Sequence, residues 1–455
     1  MDLNGNGNRN GFLKVADKFK ESDVSFVRIF WITHSGQHRS RIIPKKHFYD
    51  TVTKNGVALP PVTIVMTSLL EKPAPGSGVG FVGEARVTPD LSTTRTIPWC
   101  KQDEMVLGDL NVKPDQAWEH CPREVFRRVS KTLKDEFDLV ISAGFEIEFY
   151  LLKSITTREG KQEWLEFDSS PYCCSSALDV ACPILREIAS ALHSTGIQVE
   201  QLHTETGKGQ FELVLKHTIC NKAVDNLVYT REIIKAIARK HGLLATFLRK
   251  YNLDDVSSGI HAHISLWQNG KNVFMASDES STYGVSTFGE EFMAGILYHL
   301  PSIMSFIAPL PISYDRLQST IWGSYLFWGN ENKEAPLRAS SSPGTPDGLK
   351  SNFEIKLMDG CANPYLGLSA IIAAGIDGLR RHLTLPEPVD TSPNLETLKR
   401  LPKSLSESLE ALHKAYFLEE FFGDKLLTAI KAIQKVEIDH YSKNKVAYKE
   451  LIHRY

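Results

Sequence analysis

Five glutamates in three short segments set the chemical question. In "GFEIEFYLL", Glu146 and Glu148 stand two apart; in "HTETGKGQFELVL", Glu205 and Glu212 flank a glycine turn; and "NFEIKLMD" adds Glu354. Strand side chains two apart share a face, so Glu146 and Glu148 point one way and their apolar neighbours the other. Glu205 and Glu212 are seven apart. On one continuous strand they would face opposite ways, and they reach a single pocket only if Thr206-Gly207-Lys208-Gly209 breaks the register. Neighbouring carboxylates repel unless a cation lies between them or one keeps its proton. A complement is at hand in "GIHAHISL", where His261 and His263 share a face of another apolar strand.

Each piece alone has a plain explanation. Glu146 and Glu148 could be an exposed polar edge, the two histidines a satisfied pair, and Glu354 an ion pair with Lys356. Together, five glutamates and an imidazole strand bounded by apolar residues are not a solvated surface. Carboxylate-rich sites with an imidazole suit Mg²⁺ or Mn²⁺ rather than zinc, and two such ions serve phosphoryl transfer. No GxxxxGK[ST] sequence is present, and Gly207-Lys208-Gly209 is too short a glycine signal for a phosphate cradle.

The elements that would position these groups are readable in outline. "VSFVRIFWI", a Ser-Gly-Gln turn and "RSRIIP" predict a hairpin inside a small sheet-dominated unit. "EKPAPGSGVGF" predicts a loop, and "LVISAGFEIEFYLL" a strand pair or one long bent strand. "AVDNLVYTREIIKAIARKHG" has helical spacing, with Asp225 as its cap and Gly242 as its stop. Asn269-Gly270 predicts a hairpin turn, and Asn363 followed by Pro364 the start of a further helix. Residues 392–455 read as all-helical.

The 455 residues, 42% hydrophobic and 23% charged, suit one large or several small globular domains. Lys plus Arg (52) nearly balance Asp plus Glu (54), so no overall field favours nucleic acid or an anionic membrane, and small-molecule partners are expected. Seven cysteines without a C-x-x-C spacing argue against a disulfide framework. The polar opening "MDLNGNGNRNG" has no apolar signal core, and no run reaches membrane-spanning length, so a cytoplasmic location is expected.

"GFEIEFYLL", "HTETGKGQFE", "SSGIHAHISLW", "SYDRL", "NENKEAPLR", "FEIK" and "ANPYLGLSAIIAAGIDG" follow the order and spacing of the glutamine synthetase superfamily, and the chain resembles it from about Val24 onward. "SYDRLQSTIW" and "YKELIHRY" look most like the synthetase portion of plant nodulin/glutamine-synthetase-like proteins. The resemblance implies an α+β fold: a flexible start over 1–20, a β-grasp domain over 21–112, and a catalytic domain over 113–455 whose curved antiparallel sheet lines a funnel. It implies Mg²⁺ or Mn²⁺, ATP as co-substrate, and a homo-oligomeric ring, single or stacked, in which a neighbour's N-terminal domain completes each site. By motif position Glu148, Glu205 and Glu212 would hold one metal, and Glu146, His261 and Glu354 the other. His263 and Ser265 fall where the family contacts ATP, Arg316 where it grips the substrate α-carboxylate, and Arg338 on a phosphate-facing arginine.

The departures from the family pattern bear on the substrate. The loop expected to carry an Asp-Gly-Ser for ammonium reads "PPVTIVMTSLL", and the flap glutamate is replaced by Trp322. An Asn-Gly that holds glutamate becomes Val256-Ser257, and Ile312 replaces an asparagine. Lys333, Lys356 and Asn352 stand at arginine positions near the transferred phosphate. Lysine keeps the charge but loses the bidentate fork. Two functions are consistent with this pattern: an ATP-dependent carboxylate–amine ligase using an organic amine, or a catalytically impaired ring that binds metabolites as a scaffold or regulator.

Overall fold

The computed structural model describes residues 25–113, 116–252, 255–277, 281, 283–317, 321–389, 394–444 and 447–455, and the side chains of 316, 317, 322, 447 and 448 lie outside that description. The start expected to be flexible, 1–20, also lies outside it.

The first sheet is built on a hairpin. Strand β1 (Phe26–Ile32) pairs antiparallel with β2 (His38–Pro44) through the expected Ser-Gly-Gln turn. Helical turns over 45–55 bury Phe48 and Val52 beneath the sheet and lead to β3 (Val57–Leu59). Two long strands, β4 (Ala85–Ile97) and β5 (Cys100–Lys113), complete it in the order β2-β1-β5-β4-β3, with β6 (Gln116–Ala117) beside β5. Strand β1 runs parallel to β5, the central pairing of a β-grasp. The core beneath holds Val27, Ile29, Val87 and Val106, and it is completed by Ala429 and Ile433 from the distant helix Asp424–Lys443.

The second sheet carries the glutamates. Its path runs β15 (Trp328–Asn330), β16 (Leu337–Ser340), β17 (Asn352–Ile355), β12 (Ile260–Gln268), β7 (Val140–Thr156), β10 (Gln210–Ile219), β9 (Val199–Thr204). Strands β8 (Gln162–Glu166) and β11 (Leu243–Thr246) pair with β7, and β13 (Lys271–Asn272) with β12. All pairings are antiparallel except β15 with β16. Strand β7 is one continuous strand of 17 residues rather than a pair. Phe145, Ile147, Phe149 and Leu151 leave it on the apolar side and are all but fully buried in the main core, to which the helices Ser175–Ser194, Cys220–Lys240, Thr287–Ile307 and Pro364–Arg380 also contribute. The opposite face is left for Glu146 and Glu148.

Two capping expectations divide. Asn363 caps Pro364–Arg380, accepting from the N–H groups of Tyr365 and Leu366. Asp225 caps nothing: its helix begins at Cys220, directly after β10, which leaves Asp225 in the second turn. There its carboxylate meets the Arg123 guanidinium at 2.5 Å and accepts from the Tyr365 hydroxyl at 2.6 Å. A charge-assisted pair outweighs a cap that the earlier start made unnecessary. The Asn269-Gly270 turn forms as expected, both residues at positive φ. The last segment is not wholly helical, because β18 (Lys399–Arg400) pairs with β14 (Tyr325–Leu326).

The two sheets meet where the β1–β2 turn enters the second unit. A Cβ on Gly36 would lie 2.1 Å from the Cys361 carbonyl oxygen, and Gly36 has φ +76°, so only glycine fits. Beside it Asn363 donates to the Thr33 carbonyl at 3.0 Å, fixing the turn to the start of the Pro364 helix. Among the described residues, no helix is long and apolar enough to cross a membrane.

Candidate active site

Sheet register turns separate sequence motifs into a row. Across β9, β10 and β7, His203 faces Glu212, which faces Glu148; across β7, β12, β17 and β16, Glu146 faces His261, and His263 faces Glu354, which faces Arg338. Glu205 and Glu212 converge beside His203. They stand on the two arms of the β9–β10 hairpin, where pairing of His203 with Glu212 and of the Glu205 N–H with the Gln210 carbonyl puts both carboxylates on one side.

The spacing is tight. The His261 Nδ1 lies 3.1 Å from Glu146 and 3.2 Å from Glu354, and its Nε2 lies 3.4 Å from Glu148. The His263 Nε2 lies 3.1 Å from Glu146, and its Nδ1 is 3.0 Å from Asn352 Oδ1. At the other end His203 Nε2 is 3.1 Å from Glu212 and Nδ1 3.8 Å from Glu205. Three triads thus have ligand atoms within 4.8 Å of one another: Glu146, Glu212 and His261; Glu146, His263 and Glu354; His203, Glu205 and Glu212.

The electrostatics match a surplus of anions. Burial alone would lower the His261 pKa, but hydrogen bonding to Glu146 and Glu354 pushes it up to about 10. For His203 the bond to Glu212 dominates and raises it to about 9. Burial would raise Glu354, yet His261, Lys356 and His263 bring it down to about 2, and Glu146 moves in the same direction through His261 and His263. A donor set that holds protons this firmly on imidazoles between carboxylates is one that a hard divalent cation fits, with oxygen donors in the majority.

Each residue expected at the site has a definite place except two. Glu148 accepts from Gln210 at 2.8 Å and from the Gly259 N–H at 3.1 Å, so its carboxylate is held rigidly beside His261. Arg338 turns its Nε and a terminal nitrogen onto Glu354, each at 2.7 Å, and Lys356 reaches 3.9 Å from Glu354 while donating to the Lys333 carbonyl at 2.6 Å. The Lys333 side chain itself is exposed. Ser265 lies further along β12, 3.4 Å from the Ser142 carbonyl, and accepts from Trp267. The Val256 carbonyl accepts from Tyr150, and the Ser257 carbonyl from Gln210, which ties that loop to Glu148. Arg316 and Trp322 fall in the short helices Ile312–Leu317 and Ile321–Ser324, and their side chains lie outside the described residues.

Three further residues of the row were not anticipated. His203 was legible in principle: it sits two before Glu205 and shares its face. Gln210 bridges Glu148 to Ser258 and the Ser257 carbonyl. His217 packs edge-on to His263 at 6.0 Å, over Gly144, whose Cβ would come within 2.4 Å of its ring. Burial, then the charge of His263, lower its pKa to about 4. Five residues beyond Glu212, it should face the other way; a register shift between Leu215 and Thr218 turns it in.

Comparison with known proteins fits this geometry. The glutamine synthetase catalytic domain matches residues 119–451. The chain is 31% identical to type-1 glutamine synthetase 1 of Dictyostelium discoideum over 93% of its length and 88% of the relative's. It is 30% identical to the gamma-glutamylpolyamine synthetase GlnA3 of Streptomyces coelicolor, over 77% of this chain and 76% of that one. A solved glutamine synthase homolog superposes with a TM-score of 0.83 at 25% identity, covering 95% of this chain and all of that one. GmaS shares the fold with a TM-score of 0.79 at 23% identity, over 94% and 96% of the two chains. With its row of glutamates and histidines on the curved sheet of that fold, the chain belongs to the glutamine synthetase family of ATP-dependent ligases that form C–N bonds.

Proposed function

We propose that this protein joins glutamate, or a related acid, to an organic amine, using ATP and Mg²⁺ or Mn²⁺, within a homo-oligomeric ring. One observation carries the choice of amine. Where the family resemblance places an acid for ammonium, the chain has the turn Pro61–Val65, whose Val62, Ile64 and Val65 are buried in the N-terminal core. No carboxylate belongs to that turn, and the flap position holds Trp322, an apolar wall with a π-face suited to covering an alkyl, aryl or polyamine acceptor. The similarity to a gamma-glutamylpolyamine synthetase supports the same reading.

The residues divide the work. Glu148, Glu205 and Glu212 on one side, and Glu146, His261 and Glu354 on the other, would hold the two cations, with His203 and His263 as adjoining donors. Cations held by these residues would supply charge neutralisation of phosphoryl oxygens. Arg338, Lys356 and Lys333 add positive charge at the end of the row for the transferred phosphoryl group. A substrate carboxylate oxygen attacks the γ-phosphorus and ADP leaves; the amine then attacks the acyl carbon and phosphate leaves. The balance is acid, amine and ATP to amide, ADP, phosphate and one proton. His263 and Ser265 would meet the nucleotide, and Arg316 with the Val256-Ser257 loop the acid.

A metabolite-binding ring without turnover draws on one observation, the commitment of Arg338 to Glu354 through two nitrogens. ADP release separates the readings. With glutamate and a panel of amines, product amide detected by mass spectrometry is expected for organic amines and poor for ammonia. Trp322→Ala should lower kcat/KM for the best amine by about five- to thirtyfold, the worth of one aromatic contact of roughly 1–2 kcal/mol. Efficient glutamine formation from glutamate and ammonia overturns the choice of amine, and ATP binding without ADP release under any pairing favours the regulator. Sedimentation tests the ring: a fully active monomer at micromolar concentration excludes a shared site.

A further inference from the structure

We propose that Cys173 and Cys174 are a vicinal thiol pair that a hydroperoxide oxidises to a disulfide, and that closing it displaces the Glu205 end of the carboxylate row. Cys173 is exposed and Cys174 half-buried, whereas Cys121, Cys220 and Cys361 are buried. The pair ends a tight turn in which the Cys174 N–H donates to the Pro171 carbonyl at 3.2 Å, and Cys173 adopts φ +52°, a left-handed conformation that non-glycine residues seldom hold. Cys174 is the last residue before the helix Ser175–Ser194, with its Sγ 3.1 Å from the Ser176 hydroxyl. Hydrogen bonding from Ser176 and then from the first helical N–H groups lowers its pKa, and the thiolate is the form that attacks a peroxide.

The turn is fastened to the site by contacts to Thr204 and to His203. The Cys173 N–H donates to the Thr204 carbonyl at 3.1 Å, and the Cys174 N–H to the Thr204 hydroxyl at 3.2 Å. The Tyr172 ring stands edge-on to His203 at 5.7 Å, and His203 bonds Glu212 at 3.1 Å. Thr204 immediately precedes Glu205. Adjacent Cα atoms are about 3.8 Å apart, shorter than the usual disulfide span of about 4.4–6.8 Å, so the two sulfurs can join only if the intervening backbone rearranges. That peptide supplies the Cys174 N–H to Thr204, and the Cys173 N–H, which also bonds Thr204, adjoins it. Closing the ring therefore costs contacts that fix Glu205, and the strain makes the bond easy to reduce again.

The step balances. The Cys174 thiolate attacks one peroxide oxygen, giving a sulfenic acid as the second oxygen leaves as hydroxide and takes a proton to become water. The Cys173 thiol then attacks the Cys174 sulfur, its proton leaving with the hydroxyl as a second water. Two thiols lose two hydrogens to one peroxide.

The activity consequence rests on the proposed ligase reading and the metal consequence on the cation site proposed with it, but the thiol chemistry rests on neither. Intact protein is treated with hydrogen peroxide, digested and mapped by mass spectrometry, while Mn²⁺ binding is followed by calorimetry and ADP release by a coupled assay. The expected result is loss of two hydrogens from the peptide carrying residues 173–174, and Mn²⁺ affinity and ADP release reduced about tenfold or more, the scale of losing an outer support of a metal ligand. Dithiothreitol restores both. Cys173→Ser and Cys174→Ser should each keep basal metal affinity and resist the peroxide effect. A pair that stays reduced or proceeds to sulfinic acid overturns the proposal, as does a bridge from either cysteine to Cys182, or a vicinal disulfide that leaves Mn²⁺ affinity unchanged. Absent ADP release with an intact, redox-sensitive Mn²⁺ isotherm would instead count against the ligase reading alone.

Discussion

Two clusters of buried charge in this molecule are built on opposite principles. Around Arg123, one guanidinium meets Asp90 at 2.6 Å, Asp109 at 2.8 Å and Asp225 at 2.5 Å, and also donates to Tyr365 at 2.9 Å. Every arm of the cation is used, and the cluster joins the β-grasp strands β4 and β5 to the helices Cys220–Lys240 and Pro364–Arg380. Along the second sheet, by contrast, five glutamates are answered by imidazoles and by Arg338 and Lys356 at one end only. A closed set of bonds is a fastener. An unbalanced set, held in place by rigid strands, is a receptor for further positive charge.

The largest effect should come from breaking the fastener. Arg123→Ala leaves Asp225 without its cation beneath a tyrosine and leaves Asp90 and Asp109 to Arg127 alone, and a loss of about 3–5 kcal/mol in unfolding free energy is expected. Urea denaturation measures it, and a midpoint within error of the parent would show that the cluster does not hold the two units together.

In the receptor the same kind of deletion should leave the fold standing and remove ligand. Glu148→Ala or Glu205→Ala is expected to weaken Mg²⁺ or Mn²⁺ binding by about a hundredfold or more, more than an outer support alone costs, with a melting temperature no lower than the parent's in metal-free buffer because a repelling carboxylate has gone. Calorimetric isotherms identical to the parent's would contradict the assignment.

A further buried acid sharpens the contrast, because no cation among the described residues is bonded to it. Glu437 lies in the helix Asp424–Lys443 and accepts the Ser68 N–H; burial pushes its pKa up from 4.5 to about 7. The folded state therefore holds this proton more tightly than the unfolded state. Its contribution to stability is complete below pH 4.5 and is lost as pH rises through 7, on the order of 3 kcal/mol over that window. Glu437→Gln should flatten this part of the pH–stability curve and leave the variant more stable than the parent at pH 8. An unchanged curve would mean that the acid is ionised in the fold and that burial alone does not distinguish the clusters.

How much of this was legible in the sequence follows from what periodicity encodes. Glu146 with Glu148, and His261 with His263, were assigned to shared faces because alternation on a strand is a local property. The hairpins at Ser35-Gly36 and Asn269-Gly270 were readable for the same reason. Pairing between distant strands is not local. Nothing in the sequence brings His203 opposite Glu212, and the bulge that swings His217 over Gly144 exists only once β10 is laid against β7. Asp225 was misplaced because its partner Arg123 lies 102 residues away, beyond the reach of any capping rule.

The contribution of Ala429 and Ile433 to the core under the first sheet has a consequence for biosynthesis. Chains emerge from the ribosome at roughly 5–20 residues per second, so the strands β1–β5 wait about 15–60 seconds for the helix that closes them. During that interval Val27, Ile29, Val87 and Val106 lack part of their cover, and the exposed edge of β2 is free to pair with a foreign strand. A nascent chain arrested before residue 429 should therefore be more open to protease in its first hundred residues than the same residues in the released protein, and more dependent on a chaperone to reach the folded state.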